Sequence, residues 1–259
     1  MQGQDTPRVS VITAAYNAEK YIGTGITSVM NQTYPNWELW VVDDCSTDHT
    51  GAIARAYAQK HPNVHYLKTA YNTGAPAAPR NMALRKMTGR YAAFMDGDDY
   101  FMPEKLEAQV AFMQEKDCAI SYTAYRRVDG TGEKIGALKR VPEKLDYKSY
   151  LGNTCITMCS AMVDTEKTGM IRFDETVPRG RDDLVLWIEL LKQKHEAFGL
   201  NKDLTRFRQG HGSISGNFTE MAKSNWAVYQ KYAADLNIVD RLAAFVSYGF
   251  HAIEKRLIF

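Results

Sequence analysis

Three aspartates stand within four positions in the stretch YAAFMDGDDYFMPEKL, immediately after an apolar run. Carboxylates as close as Asp96, Asp98 and Asp99 raise one another's pKa unless a positive charge lies between them. Mg²⁺ and Mn²⁺ prefer oxygen ligands and are commonly held by one or two carboxylates and substrate phosphates. In an extended segment Asp96 and Asp98 point the same way, and Gly97 permits a close approach of backbone. The spacing favours a divalent-cation site; the alternative is a solvated turn in which Asp99 caps the next helix.

Two further segments carry residues that suit a nucleotide. Asp44 ends the apolar run WELWVVDD, and Tyr16 follows the run VSVITAA. A carboxylate there can accept a hydrogen bond from a nucleobase N–H, and the tyrosine ring offers a stacking surface; the alternative for Asp44 is a turn residue before a helix. Arg80 lies at the start of a predicted helix, where its guanidinium and the helix dipole both suit a phosphate. The alternative for Arg80 is an ordinary surface residue.

In the first half of the chain, short apolar runs typical of strands alternate with segments whose apolar residues recur at helical spacing. These elements must position the residues described above. Four apolar segments predict strands: RVSVITAAYN, WELWVVDDCS, NVHYLKT and RYAAFMD. Four amphipathic segments predict helices between and after them: EKYIGTGITSVMNQ, TGAIARAYAQKH, PRNMALRKM and PEKLEAQVAFMQE, the last with Pro103 in its first turn. This alternation predicts an α/β fold with a mostly parallel sheet covered on both faces. Ligands bind such sheets at the carboxyl ends of the strands, so the three polar strand ends are expected to form one crevice.

The second half is less regular. AISYTAYRRVDGTGEKIGA predicts two strands joined by a turn, NTCITMCSAMVD another strand, DDLVLWIELLKQK a helix, and DLTRFRQGHGSIS a strand that runs into a loop. The tail is predicted to be helical, with one apolar stripe formed by Leu242, Val246, Phe250, Ile253 and Leu257. Three uses of this tail are open: packing on the rest of the chain, contact with a membrane surface, and formation of a homodimer.

The overall composition narrows the function classes. The net charge of +2 is too balanced to indicate nucleic acid as the main partner. The four cysteines have no paired metal spacing and are expected to be free thiols. We expect no signal peptide and no membrane span, because the first residues lack a basic start with an apolar core and no uncharged apolar run approaches ~20 residues. A cytoplasmic location is therefore expected, with peripheral contact at the inner face of the cell membrane as an open alternative.

Taken together, these motifs resemble the family 2 glycosyltransferases of the GT-A fold. The resemblance is carried by residues 8–115 almost continuously, through VSVITAAYN, VVDDCSTDHT, NTGAPAAPRNMAL and GRYAAFMDGDDYFMPEKLEAQ, and resumes at RGRDDLVLWIELL and RFRQGHGSIS. It implies an inverting enzyme that transfers a sugar from a nucleotide diphosphate donor, here expected to be a UDP-sugar, to a hydroxyl of a glycan or lipid-linked glycan. It also implies a Mn²⁺ or Mg²⁺ cofactor.

The resemblance also implies roles on the donor side. Ala14, Tyr16 and Asp44 would hold the nucleobase, and Arg80 would lie near the nucleotide. Asp96 would sit by the ribose and the metal. The direct metal ligand would be Asp98, and His211, in the loop after the last strand, would touch the metal or the diphosphate; the alternative for His211 is an exposed loop residue.

On the acceptor side the family's base is the aspartate of a Glu-Asp pair ahead of a tryptophan, which here is Asp183 before Trp187. Asp182 stands where the family has glutamate; its shorter side chain is expected to weaken an acceptor contact, and the base itself is retained. Displacement at an anomeric carbon requires a carboxylate to take the acceptor proton and a counter-charge for the departing diphosphate on the opposite side of the sugar. Asp183 and Asp98 meet that requirement; the alternative for the pair is favourable charge at a helix N-terminus, ~0.3–1 kcal/mol each.

We expect a catalytic domain over residues 1–218, with a nucleotide-binding half at about 8–115 and an acceptor half at about 116–218, followed by a helical tail over 219–259. Two other functions use the same carboxylates. One is a sugar-nucleotide or glycan-binding module without turnover, and the other is a metal-dependent phosphatase or nucleotidyltransferase. The chain has neither the phosphate loop of an NTPase nor the glycine fingerprint of a dinucleotide oxidoreductase.

Overall fold

The computed structural model describes residues 6–208 and 218–257. Within them a ten-stranded sheet has the order β3-β2-β1-β4-β9-β6-β10-β5, with β7 paired to β6 and β8 paired to β10. The strands are β1 (Val9–Ala15), β2 (Trp37–Asp43), β3 (Val64–Lys68), β4 (Tyr91–Asp96), β5 (Tyr100–Phe101), β6 (Ile120–Val128), β7 (Ile135–Lys139), β8 (Lys144–Leu145), β9 (Ala161–Asp164) and β10 (Ala197–Arg208). The helices are α1 (Ile22–Met30), α2 (Thr50–Lys60), α3 (Ala77–Leu84), α4 (Lys105–Lys116), α5 (Tyr147–Gly152), α6 (Thr165–Thr168), α7 (Asp182–Lys192), α8 (Phe218–Tyr232) and α9 (Ile238–Leu257).

The pairing confirms the predicted mostly parallel α/β sheet. β1 is parallel to both β2 and β4, β2 is parallel to β3, and β6 is parallel to β10. The short strand β9 is antiparallel to both β4 and β6 and joins the two parallel groups. Since β9 is antiparallel to both of its neighbours, β4 and β6 run in the same direction. The carboxyl ends of β1, β2, β4, β6 and β10 therefore all lie at one edge of the sheet.

Both faces of the sheet are covered, as the apolar strands predict. One core holds the buried side of α1, α2 and α4 against β1 and β4, with Ile26 and Leu106 fully buried. The other core holds α3, α5, α7 and α8. Trp187 of α7 is fully buried there, and Leu184, Ile188 and Leu191 of the same helix are buried beside it.

Some elements differ from the sequence predictions. Only Ala161–Asp164 of the segment NTCITMCSAMVD is a strand, and Met158–Ser160 before it forms a 3₁₀ turn. Helix α4 begins at Lys105, so Pro103 precedes the helix instead of lying in its first turn. Strand β10 begins at Ala197, before the segment predicted, because it also pairs with β8. The short elements β5, β8 and α5 were not predicted, since two-residue strands and six-residue helices carry too few residues for a periodic pattern.

The two helices of the tail pack on the rest of the chain and on each other. The hydroxyl of Tyr229 in α8 donates to the carbonyl of Leu151 in α5, and the Tyr229 ring lies in the same core as α5 and α7. Phe245 of α9 contacts the rings of Trp226 and Tyr229 of α8, at centroid distances of 5.2 and 6.2 Å. Leu242, Val246 and Phe250, members of the predicted stripe, are 46 to 71% exposed and face away from this contact. The tail therefore packs on the rest of the chain through a different face from Leu242, Val246 and Phe250. The side chains of Ile253 and Leu257, the other two members of the stripe, lie outside the described residues. The membrane and dimer uses of the stripe stay predictions.

Two general expectations can be checked directly, and the domain division cannot. The four cysteines are free thiols, as predicted. No helix in the described part of the chain is long and apolar enough to cross a membrane. The sheet ends at Arg208 and helices follow from Phe218, but the division into a catalytic domain and a tail at residue 218 stays a prediction.

Candidate functional site

The ends of β1, β2 and β4 are contiguous, as the strand order requires. Ala14, half-buried near the end of β1, is directly opposite Asp96 at the end of β4. The backbone N–H of Asp44, just after β2, donates to the carbonyl of Ala15 at 2.8 Å. A Cβ on Gly97 would stand 3.0 Å from the Cβ of Ala15, so glycine allows the loop after β4 to lie against β1. The three polar strand ends thus meet at one place.

The loops that leave β1 and β2 are joined by hydrogen bonds. The N–H of Asn17 donates to Ser46 Oγ at 3.0 Å, and the N–H of Thr47 donates to Asn17 Oδ1 at 2.9 Å. Asn17 has a φ of 48°, a left-handed conformation that asparagine tolerates well. This fixed turn leaves the neighbouring Tyr16 side chain 48% exposed beside the crevice, where its ring can stack on a flat ligand.

Asp44 is buried, and the loop after β3 surrounds its carboxylate. The N–H of Thr73 lies 3.1 Å from both of its oxygens, and Thr69 Oγ1 donates to Oδ1 at 3.0 Å. The Thr73 hydroxyl has one proton, which is shared between Asp44 and the carbonyl of Ala75 at 2.9 Å. A carboxylate accepts about four hydrogen bonds, so at least one acceptor position remains for a ligand N–H. Sequence reasoning did not identify Thr69 and Thr73, whose loop carries no periodic signal.

Arg80 joins the two acidic regions of the sequence. Its Nη2 donates to Asp96 Oδ1 at 2.5 Å, and its Nη1 donates to Asp182 Oδ2 at 2.6 Å. The guanidinium also lies over the ring of Phe173, 5.3 Å from the centroid. Burial alone would lower the pKa of Arg80, but the carboxylates of Asp96 and Asp182 raise it above its ordinary value.

This placement corrects the surface alternative for Arg80, because the residue is only 4% exposed. Both ends of its guanidinium are occupied by carboxylates, and Asp182 is itself buried. The Asp182 side chain is therefore directed to an arginine of the chain. The role of Arg80 toward a nucleotide stays a prediction.

The three carboxylates at the end of β4 are crowded; Asp96 and Asp98 are half-buried and Asp99 is buried. Burial raises the pKa of Asp98 to about 6, and repulsion from Asp96 adds to the shift. Burial also raises the pKa of Asp99 far above its ordinary range, with further repulsion from Asp98 and Asp96. Asp99 is 1% exposed and accepts from the N–H of Arg208 at 2.8 Å. The alternative of a solvated turn in which Asp99 caps the next helix is wrong, because Asp99 is buried and α4 begins six residues later at Lys105.

Asp183 lies beside Asp182 at the start of α7 and is only partly exposed. Burial raises its pKa to about 6, with repulsion from Asp182 as the second cause and the guanidinium of Arg80 opposing both. Its Oδ1 accepts a hydrogen bond from the N–H of Leu184 at 2.7 Å, which orients the carboxyl group. A carboxylate with a pKa of about 6 can accept a proton near neutral pH and is chemically suited to general-base work.

The residues around Asp98 fit a divalent cation. In residues 6–208 and 218–257 no three His, Cys, Asp or Glu side chains form a ready metal cage. Mg²⁺ and Mn²⁺ are usually bound without such a cage, by one or two carboxylates with water and substrate phosphates. Asp98 and Asp96 repel one another, and a cation between them would relieve that repulsion. His211, the third predicted metal residue, lies outside the described residues.

Comparison with known proteins identifies the family. The family model described as Glycosyl transferase family 2 matches residues 10–174, which include the ends of β1, β2 and β4. The chain belongs to glycosyltransferase family 2. It is a glycosyltransferase, and the resemblance noted in the sequence is confirmed.

Relatives of this family 2 enzyme match it over nearly its whole length. TuaG of Bacillus subtilis, named as a glycosyltransferase of teichuronic acid biosynthesis, is 40% identical over 97% of this chain and 98% of its own. WfgD of Escherichia coli is 30% identical over 95% of this chain and 94% of its own. Its name describes a UDP-Glc:α-D-GlcNAc-diphosphoundecaprenol β-1,3-glucosyltransferase.

A solved structure confirms the fold of this family 2 enzyme. TarS of S. aureus, crystallised as residues 1–349 in complex with UDP-GlcNAc, is similar with a TM-score of 0.72 and 25% identity. The similarity covers 93% of this chain and 71% of that one. The chain therefore has the GT-A fold, with the helical extension predicted for its C-terminal part.

Proposed function

We propose that this enzyme is an inverting, metal-dependent glycosyltransferase that moves a sugar from a UDP-sugar to a hydroxyl of a glycan or lipid-linked glycan. The observation that carries the proposal is the position of Arg80 between Asp96 and Asp182. Through this one guanidinium, the carboxylates at the end of β4 and the acidic start of α7 meet at the same edge of the sheet. Inverting transfer requires a base and a counter-charge for the diphosphate to act on one sugar, and acids from these two parts of the chain can supply both roles.

On the donor side, Asp44 accepts the N–H of the uracil ring, since its buried carboxylate retains a free acceptor position beside Thr69 and Thr73. The exposed ring of Tyr16 stacks on the base, and the half-buried backbone at Ala14 borders it. The names of WfgD and of the TarS complex, which contain UDP-Glc and UDP-GlcNAc, support a uridine donor.

Asp98, with Asp96 beside it, would hold a Mn²⁺ or Mg²⁺ ion. Such an ion supplies the counter-charge for a departing diphosphate. Asp96 keeps one oxygen on Arg80, so the arginine orients the carboxylate that faces the ribose and the cation. His211 is proposed as an additional contact to the cation or the diphosphate.

On the acceptor side, Asp183 takes the proton of the attacking hydroxyl. Its raised pKa, about 6, matches a base that must be ionised at neutral pH yet basic enough to bind the proton in the transition state. Asp182, the first residue of α7, forms an ion pair with Arg80, and this pair fixes the start of the helix. The aspartate at this position therefore has a structural role.

The acceptor is proposed to be a bacterial cell-surface glycan or its lipid-linked precursor, as the names of TuaG and WfgD suggest. A lipid-linked acceptor would place the reaction in the cytoplasm, at the inner face of the cell membrane. The exposed side chains of Leu242, Val246 and Phe250 on α9 are then available for peripheral contact or for a homodimer.

The test is a transfer assay with a panel of UDP-, GDP- and dTDP-sugars, with and without Mn²⁺, on the parent chain, Asp98→Ala and Asp183→Asn. We expect Mn²⁺-dependent release of UDP from the parent only, and a product of inverted anomeric configuration by proton NMR. Glu189→Gln, an exposed change on the same helix as Asp183, is the matched control and should behave as the parent.

Three results would contradict the proposal. Binding of UDP-sugars without turnover by the parent chain would indicate a binding module. Release of inorganic phosphate without sugar transfer would indicate a phosphatase. Full transfer activity in Asp183→Asn would show that Asp183 is not the general base.

A further inference from the structure

Arg208, the last residue of β10, is buried and connects two turns of the backbone. Its Nε donates to the carbonyl of Asp98 at 2.9 Å. Its Nη1 donates to the carbonyls of Asp129 and Gly130, at 3.0 and 3.1 Å, in the turn between β6 and β7. Its own N–H donates to the buried carboxylate of Asp99 at 2.8 Å. Arg208 is 6% exposed.

The plane of the guanidinium is also held by aromatic rings. The Cζ atom lies 4.5 Å from the ring centroid of Tyr21, which precedes α1, and 5.8 Å from that of Tyr100. An arginine fork held by carbonyls along its edge and by rings on its faces has little freedom to rotate. The carbonyls that it contacts are therefore fixed relative to one another.

The turn between β6 and β7 is itself rigid. The Asp129 side chain accepts from the N–H groups of Thr131 and Gly132, at 3.1 and 2.8 Å. Gly132 has a φ of 82°, and a Cβ there would stand 3.3 Å from Nη1 of Arg208. Arg208 thus rests against a preformed turn on one side and holds the backbone of the Asp96–Asp99 segment on the other.

We propose that Arg208 is a positioning residue of the donor site, which fixes the backbone at Asp98 so that its carboxylate is aimed before the donor binds. The inference rests on the proposed function, because it assumes that Asp98 binds the donor through a divalent cation. Arg208 holds the peptide carbonyl of Asp98, so its effect on the donor passes through the conformation of that residue. Preformed geometry of this kind matters because a displacement of about 1 Å in a binding group can lower rates ~100-fold.

The experiment compares Arg208→Lys with Arg126→Lys in the intact chain. Lysine retains the positive charge of Arg208 but replaces the planar fork with a single ammonium, which cannot reach the carbonyls of both turns. Arg126 is the matched control. It donates to Asp203 at 2.7 Å and to the carbonyl of Gly136 at 3.1 Å, so these hydrogen bonds join β6 to β10 and β7 and not to the segment from Asp96 to Asp99. The dissociation constant of UDP with Mn²⁺ is measured by calorimetry, and KM is measured separately for donor and acceptor.

We expect Arg208→Lys to weaken Mn²⁺-dependent UDP binding roughly 10-fold or more, with a matching rise in donor KM and an acceptor KM within about 2-fold of the parent. Arg126→Lys should change the UDP dissociation constant less than about 2-fold. Gly132→Ala is a second variant that keeps Arg208. It strains the turn, because Gly132 has a φ of 82°, and it places a Cβ 3.3 Å from Nη1 of Arg208, so we expect it to weaken UDP binding about 3-fold. If Arg208→Lys fails to fold, the UDP dissociation constant of Gly132→Ala with Mn²⁺ is the test of the proposal.

The proposal is overturned if the parent binds UDP with Mn²⁺ and Arg208→Lys, or Gly132→Ala in its place, binds it equally well. It is also overturned if Arg208→Lys and Arg126→Lys raise donor and acceptor KM alike, since that would be the result of a general loss of structure. A parent chain that does not bind UDP at all would instead contradict the proposed function.

Discussion

Arg80 and Asp182, 102 positions apart in the chain, form a buried ion pair of 2.6 Å between α3 and the first residue of α7. Each residue is less than 5% exposed. The same guanidinium binds Asp96 at 2.5 Å, so one positive charge is shared by two carboxylates. The start of α7, and with it Asp183, is thereby held at the edge of the sheet where β4 ends.

Asp182→Asn should strongly destabilise the chain. Removal of one partner of a buried ion pair typically costs about 3–5 kcal/mol, and because Arg80 keeps Asp96, we expect about 3 kcal/mol. Urea denaturation measures the change. Glu196→Gln, which removes an exposed pair with Lys144, is the control and should leave the midpoint near that of the parent. Equal midpoints for the two variants would show that the buried pair contributes little to stability.

Asp183→Asn should make the chain more stable while it abolishes transfer. Burial and the neighbouring Asp182 raise the pKa of Asp183 to about 6, above the value of about 4 for an unfolded chain. The unfolded state therefore binds fewer protons between pH 4 and 6, and the ionised carboxylate destabilises the fold above pH 6. We expect asparagine to raise the free energy of unfolding at pH 8 by about 2–3 kcal/mol and to change it little at pH 4. A loss of stability at pH 8 would contradict this argument.

The transfer rate should depend on pH through the same group. With Asp183 as base, the reaction requires its ionised form, so kcat/KM for the acceptor should fall about tenfold per pH unit below pH 6 and level off toward pH 8. The measurement uses saturating donor and Mn²⁺, so that titration of Asp98 does not contribute. A flat profile between pH 5 and 8 would exclude Asp183 as a base with a pKa of about 6.

Gly97→Ala should disturb both stability and donor binding. The new Cβ would stand 3.0 Å from the Cβ of Ala15, and such overpacking typically costs about 1–3 kcal/mol. Gly249→Ala is the control, because among the described residues no atom outside the backbone of α9 itself lies within 4 Å of a Cβ built there. That change should be neutral or should stabilise the helix by up to about 1 kcal/mol. Urea denaturation and UDP calorimetry on both variants check the prediction, and equal stability for the two would contradict it.

Much of the site was accessible from local patterns. The alternation of strand and helix periods placed Ala14, Tyr16, Asp44 and Asp96 at strand ends, and the parallel sheet brought those ends together. The acidic pair at the start of α7 was likewise visible from the amphipathic pattern that follows it. These features could be predicted because each depends on side chains a few positions apart.

The partners of individual side chains were not accessible in this way. Arg80 was compatible with a phosphate site or a solvent-exposed surface, and packing gave it two carboxylates. Asp99 was compatible with a helix cap, yet it is buried against the end of β10. No local sequence pattern indicated a role for Arg208, because its contacts are backbone carbonyls from residues about 80 and 110 positions away.

The sequence by itself determined the α/β class, the parallel strand ends, the chemical types of the site residues and the resemblance to its family. Tertiary structure alone decided which charges are buried together, which face of α9 is exposed, and how the two acidic segments share Arg80. The physical reason is that periodicity and turn chemistry act over a few residues. The desolvation and pairing of a charge, in contrast, depend on groups that only folding brings within a few ångströms.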